Sequence, residues 1–541
     1  KINMVLESRR VSFKKGIDST ESRRRRDDTR LTLRKNKREE GLAKRRAMGA
    51  ATVGAIPSNS TEQLPSAEND STPVVGVSGK KVFTVADIPS LLPVLTNQAS
   101  DNDSLLEAVK GFRRMLSVET NPPVKEVLDC GAMTYFIKLL ERTDFEMIQF
   151  EAAWALTNIA STEHTATVAE AGAIPSLVQL LRSPNADVRE QSAWCLGNVA
   201  GDSTALRDFV LSAGAMEPLL LNVAHPASKS CLLNAVWTLS NFCRGQPQPD
   251  LSVVGQAIPA LAGILQGENR DAMMDACWAL SYLSDGSDDR IQAVINAGVV
   301  PRLVSLLSDA NSSIVTPALR TLGNMVSGSD TQTQAVLDAG VLQHVGSLLA
   351  HNKKNVRKET CWLLSNIAAG THGQIGTLLE SRQDMSSVIN AVRTEVWDVR
   401  KEAAWVVCNI ATGGAEYHVK CLVDLGAIVA LCEILDVADA KITLVALDAI
   451  KSILKVGDYT SFVDEAGGIE AIESLQHHEN EEVYEKAVEI IEEFFGADDD
   501  IADELVPEAS ENTYSFGVSD KMANNVEAPQ GQPLGMFNFS S

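Results

Sequence analysis

Aromatic residues are scarce in this sequence, 5% of 541 residues, although hydrophobic residues make up 45%. That balance disfavours a β-sandwich, whose strands draw on aromatic and β-branched side chains, and suits Ala/Leu/Val-rich helix packing. No run of 18 apolar residues occurs, so neither a membrane span nor a membrane partner is expected. The N-terminal segment is basic and polar and lacks an apolar stretch, which argues against a secretory signal. The nine cysteines are scattered with no Cys-x-x-Cys pair, so reduced, mostly buried thiols are expected rather than a disulfide framework. There is no phosphate loop, no Ser-centred glycine elbow and no His/Cys cluster at metal spacing. An enzyme is therefore disfavoured, and no cofactor or metal is expected. His477 and His478 sit together in a polar stretch and read as solvated.

The net charge of −23 hides an asymmetry. Residues 1–46 hold 17 of the 48 Lys and Arg but only 7 of the 71 Asp and Glu, leaving 31 against 64 in the remainder. An arm of +10 is thus joined to a body of −33. Such a body attracts basic ligands and is a poor partner for nucleic acid.

A small-residue turn recurs along the body. It reads Cys130-Gly131-Ala132, Ala171-Gly172-Ala173, Ala213-Gly214-Ala215, Gln256-Ala257-Ile258-Pro259, Ala297-Gly298-Val299, Ala339-Gly340-Val341, Leu425-Gly426-Ala427 and Ala466-Gly467-Gly468. Steps are 41 or 42 residues, except one of 86 between Gly340 and Gly426 that hides a degenerate turn near Arg382. Gly suits the end of one helix because it accepts positive φ, and Pro suits the first turn of the next. A Leu-rich segment, a polar break and a longer helix follow each turn. A period near 42 with two or three helices per unit marks armadillo or HEAT repeats. The expected fold is all-α, a right-handed superhelical armadillo-repeat solenoid of about ten repeats over 83–496, since one unit alone cannot bury its apolar face.

The third helix of the repeat carries more than core packing asks for. Trp154/Asn158, Trp194/Asn198, Trp237/Asn241, Trp362/Asn366 and Trp405/Asn409 are each four residues apart, which puts both side chains on one helix face. Trp could fill the core while Asn bonds locally, but five pairs in phase favour a ladder on one surface. Indole faces attract Lys and Arg at roughly 0.5–2 kcal/mol each, and carboxamides can hold an extended peptide backbone. Gln191, Asp202, Asn234 and Asp275 flank the first rungs, and Glu359 and Glu402 stand three residues before Trp362 and Trp405. The ladder is interrupted where Trp278 is followed by Tyr282 and where Arg320 precedes Asn324; Arg320 should repel basic side chains. Two cation-binding sites result, which one long basic peptide can span with a gain in effective concentration.

The runs Trp154-Ala-Leu-Thr-Asn158, Trp194-Cys-Leu-Gly-Asn198-Val-Ala-Gly-Asp202, Trp237-Thr-Leu-Ser-Asn241, Trp278-Ala-Leu-Ser-Tyr282, Arg320-Thr-Leu-Gly-Asn324 and Trp405-Val-Val-Cys-Asn409 resemble the importin-α family, in order from about residue 8 to 496. By that resemblance the first site is the major one for nuclear localisation signals of cargo, with Asp202 pairing its most demanding lysine and Thr165 also lining it. The second is the minor site, to which Ser365 also belongs. The loop Ser161–Thr165 is about two residues shorter than in many family members and lacks their glycine.

Residues 1–50 hold the clusters Arg23, Arg24, Arg25, Arg26, then Arg34, Lys35, Lys37, Arg38, then Lys44, Arg45, Arg46. On composition these are a localisation signal or a nucleic-acid arm. The resemblance makes them an importin-β-binding arm whose Lys44-Arg45-Arg46 occupies the major site and inhibits it. Residues 51–82 form the flexible linker; some 32 residues give an r.m.s. span of roughly 28–34 Å. The acidic last repeat around 477–496 is either an ordinary polar cap or, by resemblance, a contact for a CAS-type export receptor with Ran-GTP. Nucleoporins are a further partner the resemblance admits, and shuttling between cytoplasm and nucleus is the expected localisation. Residues 497–541 read as a disordered tail. The rival reading is an armadillo scaffold for adhesion or signalling; its groove would be basic, opposite in sign to this body.

Overall fold

The computed structural model describes residues 83–118, 121–496, 508–510 and 513–515. Two compact units are present, one ending at Ala471 and one beginning at Ile472. The first is built of helical repeats. A typical repeat has a short first helix (Thr165–Glu170), a second after the glycine turn (Ala173–Leu180) and a long third helix (Ala186–Asp202).

The third helices are α1 (Asn102–Leu116), α2 (Glu146–Ile159), α3 (Ala186–Asp202), α4 (Lys229–Phe242), α5 (Arg270–Leu283), α6 (Ser312–Met325), α7 (Lys354–Ala368), α8 (Trp397–Gly413) and α9 (Ala440–Leu454). A tenth of the same pattern, α10 (Glu481–Phe494), lies in the second unit. Consecutive helices from α1 to α9 pack directly on one another, so each rung of the sequence ladder meets the next. In six of the nine helices α1 to α9 the polar break supplies the cap: Asp101, Asn185, Ser228, Asn269, Asn311 and Asp439 accept a backbone N–H of the first turn.

The turn glycines adopt the expected conformation, with φ of 78° at Gly131, 88° at Gly172, 83° at Gly214 and 85° at Gly340 and Gly426. A Cβ at Gly131, Gly172, Gly214 or Gly426 would meet nothing within 4 Å. Positive φ alone, rather than crowding, therefore demands glycine there. Two repeats beyond the first do without it. Gln256 occupies the glycine position inside a 3-10 turn, Gly255–Ala257, that runs straight into the helix Ile258–Leu265. Ser381, at φ −90° and ψ 86°, ends one helix and caps Arg382–Thr394, which is the degenerate turn expected near Arg382.

Seven of the nine cysteines are buried and all nine are free thiols. Among the described residues no single helix is long and apolar enough to cross a membrane. In the described part of the C-terminal tail, Glu508–Ser510 pairs antiparallel with Thr513–Ser515.

Candidate functional site

The rungs recur every 40–43 residues on stacked helices, and their positions fix how each side chain is held. Trp154, Trp194, Trp237, Trp278 and Trp362 are partly exposed, whereas Trp405 is nearly covered at 7% exposure. Indole seating depends on a small residue in the preceding rung. The ring of Trp237 lies against Gly197, and that of Trp362 against Gly323; a Cβ at either glycine would collide with the ring. The seventh tryptophan, Trp397, starts α8, off the ladder, and is exposed.

The asparagines are more deeply placed than a peptide-holding role alone requires, with Asn158, Asn198, Asn241, Asn324, Asn366 and Asn409 all buried. Their carboxamides tie one repeat to the one before. Nδ2 of Asn198 donates to the Thr157 carbonyl (3.2 Å), that of Asn241 to Gly197 (3.0 Å), that of Asn324 to Ser281 (2.8 Å) and that of Asn409 to Ser365 (2.9 Å). Asn158, which has no equivalent rung behind it, donates instead to the Ser117 hydroxyl (3.0 Å). Local bonding and a shared face thus coexist. The Oδ1 atoms of Asn198 and Asn409 and the Nδ2 of Asn366 are buried with no hydrogen-bond partner.

The flanking residues divide into three groups. Asp202 is the last residue of α3, exposed, and its carboxylate forms no ion pair or hydrogen bond among the described residues. A carboxylate at the negative end of a helix dipole is unfavourable until a cation neutralises it. Asp202 follows Asn198 and Trp194 at four-residue steps, so indole, amide and carboxylate share one face. Asp275 and Glu402 are half-buried beside Trp278 and Trp405. Gln191, Asn234 and Thr165 are engaged internally. Gln191 Nε2 donates to the Thr157 hydroxyl (2.7 Å), Asn234 Nδ2 to Glu190 (2.6 Å), and the Thr165 hydroxyl to the carbonyls of Ala160 (2.9 Å) and Thr162 (2.7 Å). The Ser365 hydroxyl likewise donates to the Trp362 carbonyl (2.9 Å).

The central interruption is held together from within. Tyr282 stacks on Trp278 at 6.1 Å, and it is buried. Arg320, expected to repel cations, is paired with Glu359, and its guanidinium lies 5.2 Å from the centre of the Trp362 ring. A carboxylate beside it offsets most of the charge that would do the repelling.

Sequence reasoning missed a residue at the other end. Arg113 on α1 stands 41 residues before Trp154, at the rung position, with Ser117 where the asparagine would be. Its guanidinium lies 4.3 Å from the Trp154 ring centre and pairs in two-pronged fashion with Glu151 (2.7 and 3.2 Å). Register counted backwards from Trp154 would have found it. The basic positions Arg23 to Arg46 lie outside the described residues.

Comparison with known proteins supports the repeat architecture. Armadillo/beta-catenin-like repeat models match residues 120–161, 161–201, 287–327 and 329–369, an atypical Arm repeat matches 457–508, and an Importin beta binding domain matches 9–88. An engineered protein of known structure aligns with a TM-score of 0.69 at 27% identity, covering 76% of this chain and 99% of its own. The fold is that of an armadillo-repeat solenoid. Over nearly the whole length the chain is 45% identical to importin subunit alpha-2 of Arabidopsis thaliana (99% of each chain) and 41% identical to importin subunit alpha-1b of Oryza sativa (98% of each). Importin subunit alpha-B of Dictyostelium discoideum is 40% identical, over 94% of this chain and 97% of its own. The chain belongs to the importin-α family, nuclear-import adaptors that are transport proteins rather than enzymes.

Proposed function

We propose that the face carrying Trp154 to Trp278 is the main groove for Lys/Arg-rich localisation signals, and that the face carrying Trp362 and Trp405 is a second one. The observation that carries this reading is the rung Trp194–Asn198–Asp202, where an exposed carboxylate with no partner among the described residues stands in line with a part-exposed indole. A lysine there gains a carboxylate and an aromatic wall, and its aliphatic stem packs on the ring. The excess of acidic residues after residue 46 adds long-range attraction of the same sign. Asp275 and Glu402 serve neighbouring pockets, whereas Gln191 and Asn234 shape the groove through bonds to the preceding repeat, and Thr165 and Ser365 through local bonds.

The match to an importin-β-binding domain over 9–88 supports carrier binding through the basic arm. In this reading Lys44, Arg45 and Arg46 compete with cargo for the main groove, and a carrier that grips the arm removes the competitor. Cargo and carrier then bind with positive coupling. The adaptor cycles between cytoplasm and nucleus, and the acidic last repeat is the docking site of a CAS-type export receptor with Ran-GTP; nucleoporins are transient partners on that route. The test is affinity for a labelled Lys/Arg-rich peptide. Deleting residues 1–50 should tighten it in the absence of importin-β, and Asp202→Lys should weaken it at least tenfold. Unchanged affinity on deletion removes the autoinhibition, and unchanged affinity of the Asp202 variant removes the assignment of the main groove.

A further inference from the structure

The two arginines on the ladder make the same contact. Arg320 reaches from α6 to Glu359 and over Trp362, and Arg113 reaches from α1 to Glu151 and over Trp154. In each case the acceptor is a Glu-x-x-Trp unit on the next third helix, with carboxylate and indole both facing the preceding rung. Neither Arg113 nor Glu151 is open to solvent, their side chains being 12% and 4% exposed. Phe150 backs Trp154 edge-on at 5.5 Å, fixing the ring that the guanidinium covers. The Ser117 hydroxyl donates to the Arg113 carbonyl (2.8 Å) and accepts from Asn158 (3.0 Å), so the first rung is tied to the second at both positions.

A buried carboxylate beside an indole is a pocket for a cation, because only a positive group returns what the carboxylate loses in leaving water. We infer that Glu151 and Trp154 form a further Lys/Arg pocket, and that the chain plugs it with its own Arg113. The plug sets where the groove ends. A bound peptide finds open pockets from the far side of Trp154 onward, and a basic residue that reaches past Trp154 meets a guanidinium instead of a carboxylate. Arg113 is thus a specificity-determining residue that limits how many consecutive basic residues the groove counts. This rests on the reading of the ladder face as a cationic-peptide groove.

The test uses the full chain and a fluorescent Lys/Arg-rich core peptide, extended at one end or the other by a short Gly linker and either Arg or Gln. In the wild type the Arg and Gln extensions should bind within about twofold of each other. In Arg113→Ala the Arg extension at one end should bind about tenfold tighter than its Gln counterpart, and the added Glu151→Gln should abolish that preference. Arg113→Met, which keeps an aliphatic stem over the indole, carries the same expectation should the alanine variant fold poorly. Methylguanidinium at millimolar concentration should raise the melting temperature of Arg113→Ala but not of Arg113→Ala/Glu151→Gln. If the core peptide binds and no end of it distinguishes Arg from Gln in the variants, or if the wild type distinguishes them equally well, the plug is refuted. If the core peptide binds none of the proteins, the groove reading itself has failed.

Discussion

Gly197→Ala is expected to weaken basic-peptide binding without contacting the peptide. Gly197 lies in the middle of α3 with ordinary helical geometry, so its side-chain-free surface is required by a neighbour rather than by its own backbone. The neighbour is the Trp237 indole, which a Cβ at this position would strike, along with the Thr238 hydroxyl at 2.5 Å. Both belong to α4, so the ring must swing off its seat. A displaced ring loses its cation–π contact and its wall for the aliphatic stem, about 1–2 kcal/mol together, or roughly 5- to 30-fold in Kd. Folding loses about 0–2.5 kcal/mol, since the roughly 0.5–1 kcal/mol preference for Ala over Gly in a helix offsets part of about 1–3 kcal/mol for overpacking. The assay is fluorescence anisotropy with a labelled Lys/Arg-rich peptide, alongside thermal denaturation. Gly263→Ala is the control: its Cβ would meet nothing within 4 Å, so stability should rise slightly and affinity stay constant. Gly197→Ala binding as tightly as wild type would refute the claim that Gly197 seats the Trp237 rung.

Two further outcomes follow from the straps between repeats. Asn241→Ala leaves the Gly197 carbonyl without its buried donor and should lower stability by about 1–3 kcal/mol, read as a lower urea midpoint. His418 takes the place that Gln332 and Gln374 hold in earlier repeats, accepting the Ala415 N–H at Nδ1 (3.1 Å), but its buried Nε2 has no partner where theirs donate to Asp288 and Asp330. Burial, and then the nearby His372, lower the His418 pKa from its usual value of 6.5. The unfolded chain therefore takes up a proton before the folded one does, and stability falls as pH drops through about 6.5 toward the lowered native value. His418→Gln should flatten that dependence in melts between pH 7.5 and 5, and an unchanged slope would reject the assignment.

What the sequence reveals here depends on whether a residue is needed by its own backbone or by a neighbour. Gly131 or Gly172 is legible because positive φ excludes most other residues, and the period follows from such positions. The third-helix face is legible because i, i+4 spacing fixes direction. Partners across repeats are not: nothing local to Asn241 points to the carbonyl of Gly197, 44 residues earlier. Arg113 escaped notice because the first repeat lacks both the glycine turn and the Trp–Asn pair. Glu359 looked like a free selector of cations because its partner, Arg320, lies 39 residues away. Small residues just before the asparagines, such as Gly197 and Gly323, were a readable signal that the next rung's indole must sit there.

The most direct measurement is titration of a labelled Lys/Arg-rich peptide into the full chain carrying Trp194→Ala/Asn198→Ala or Trp362→Ala/Asn366→Ala. The account predicts that the first pair of changes removes most of the binding and the second only a minor part. Full binding by the first variant, or loss confined to the second, would contradict it.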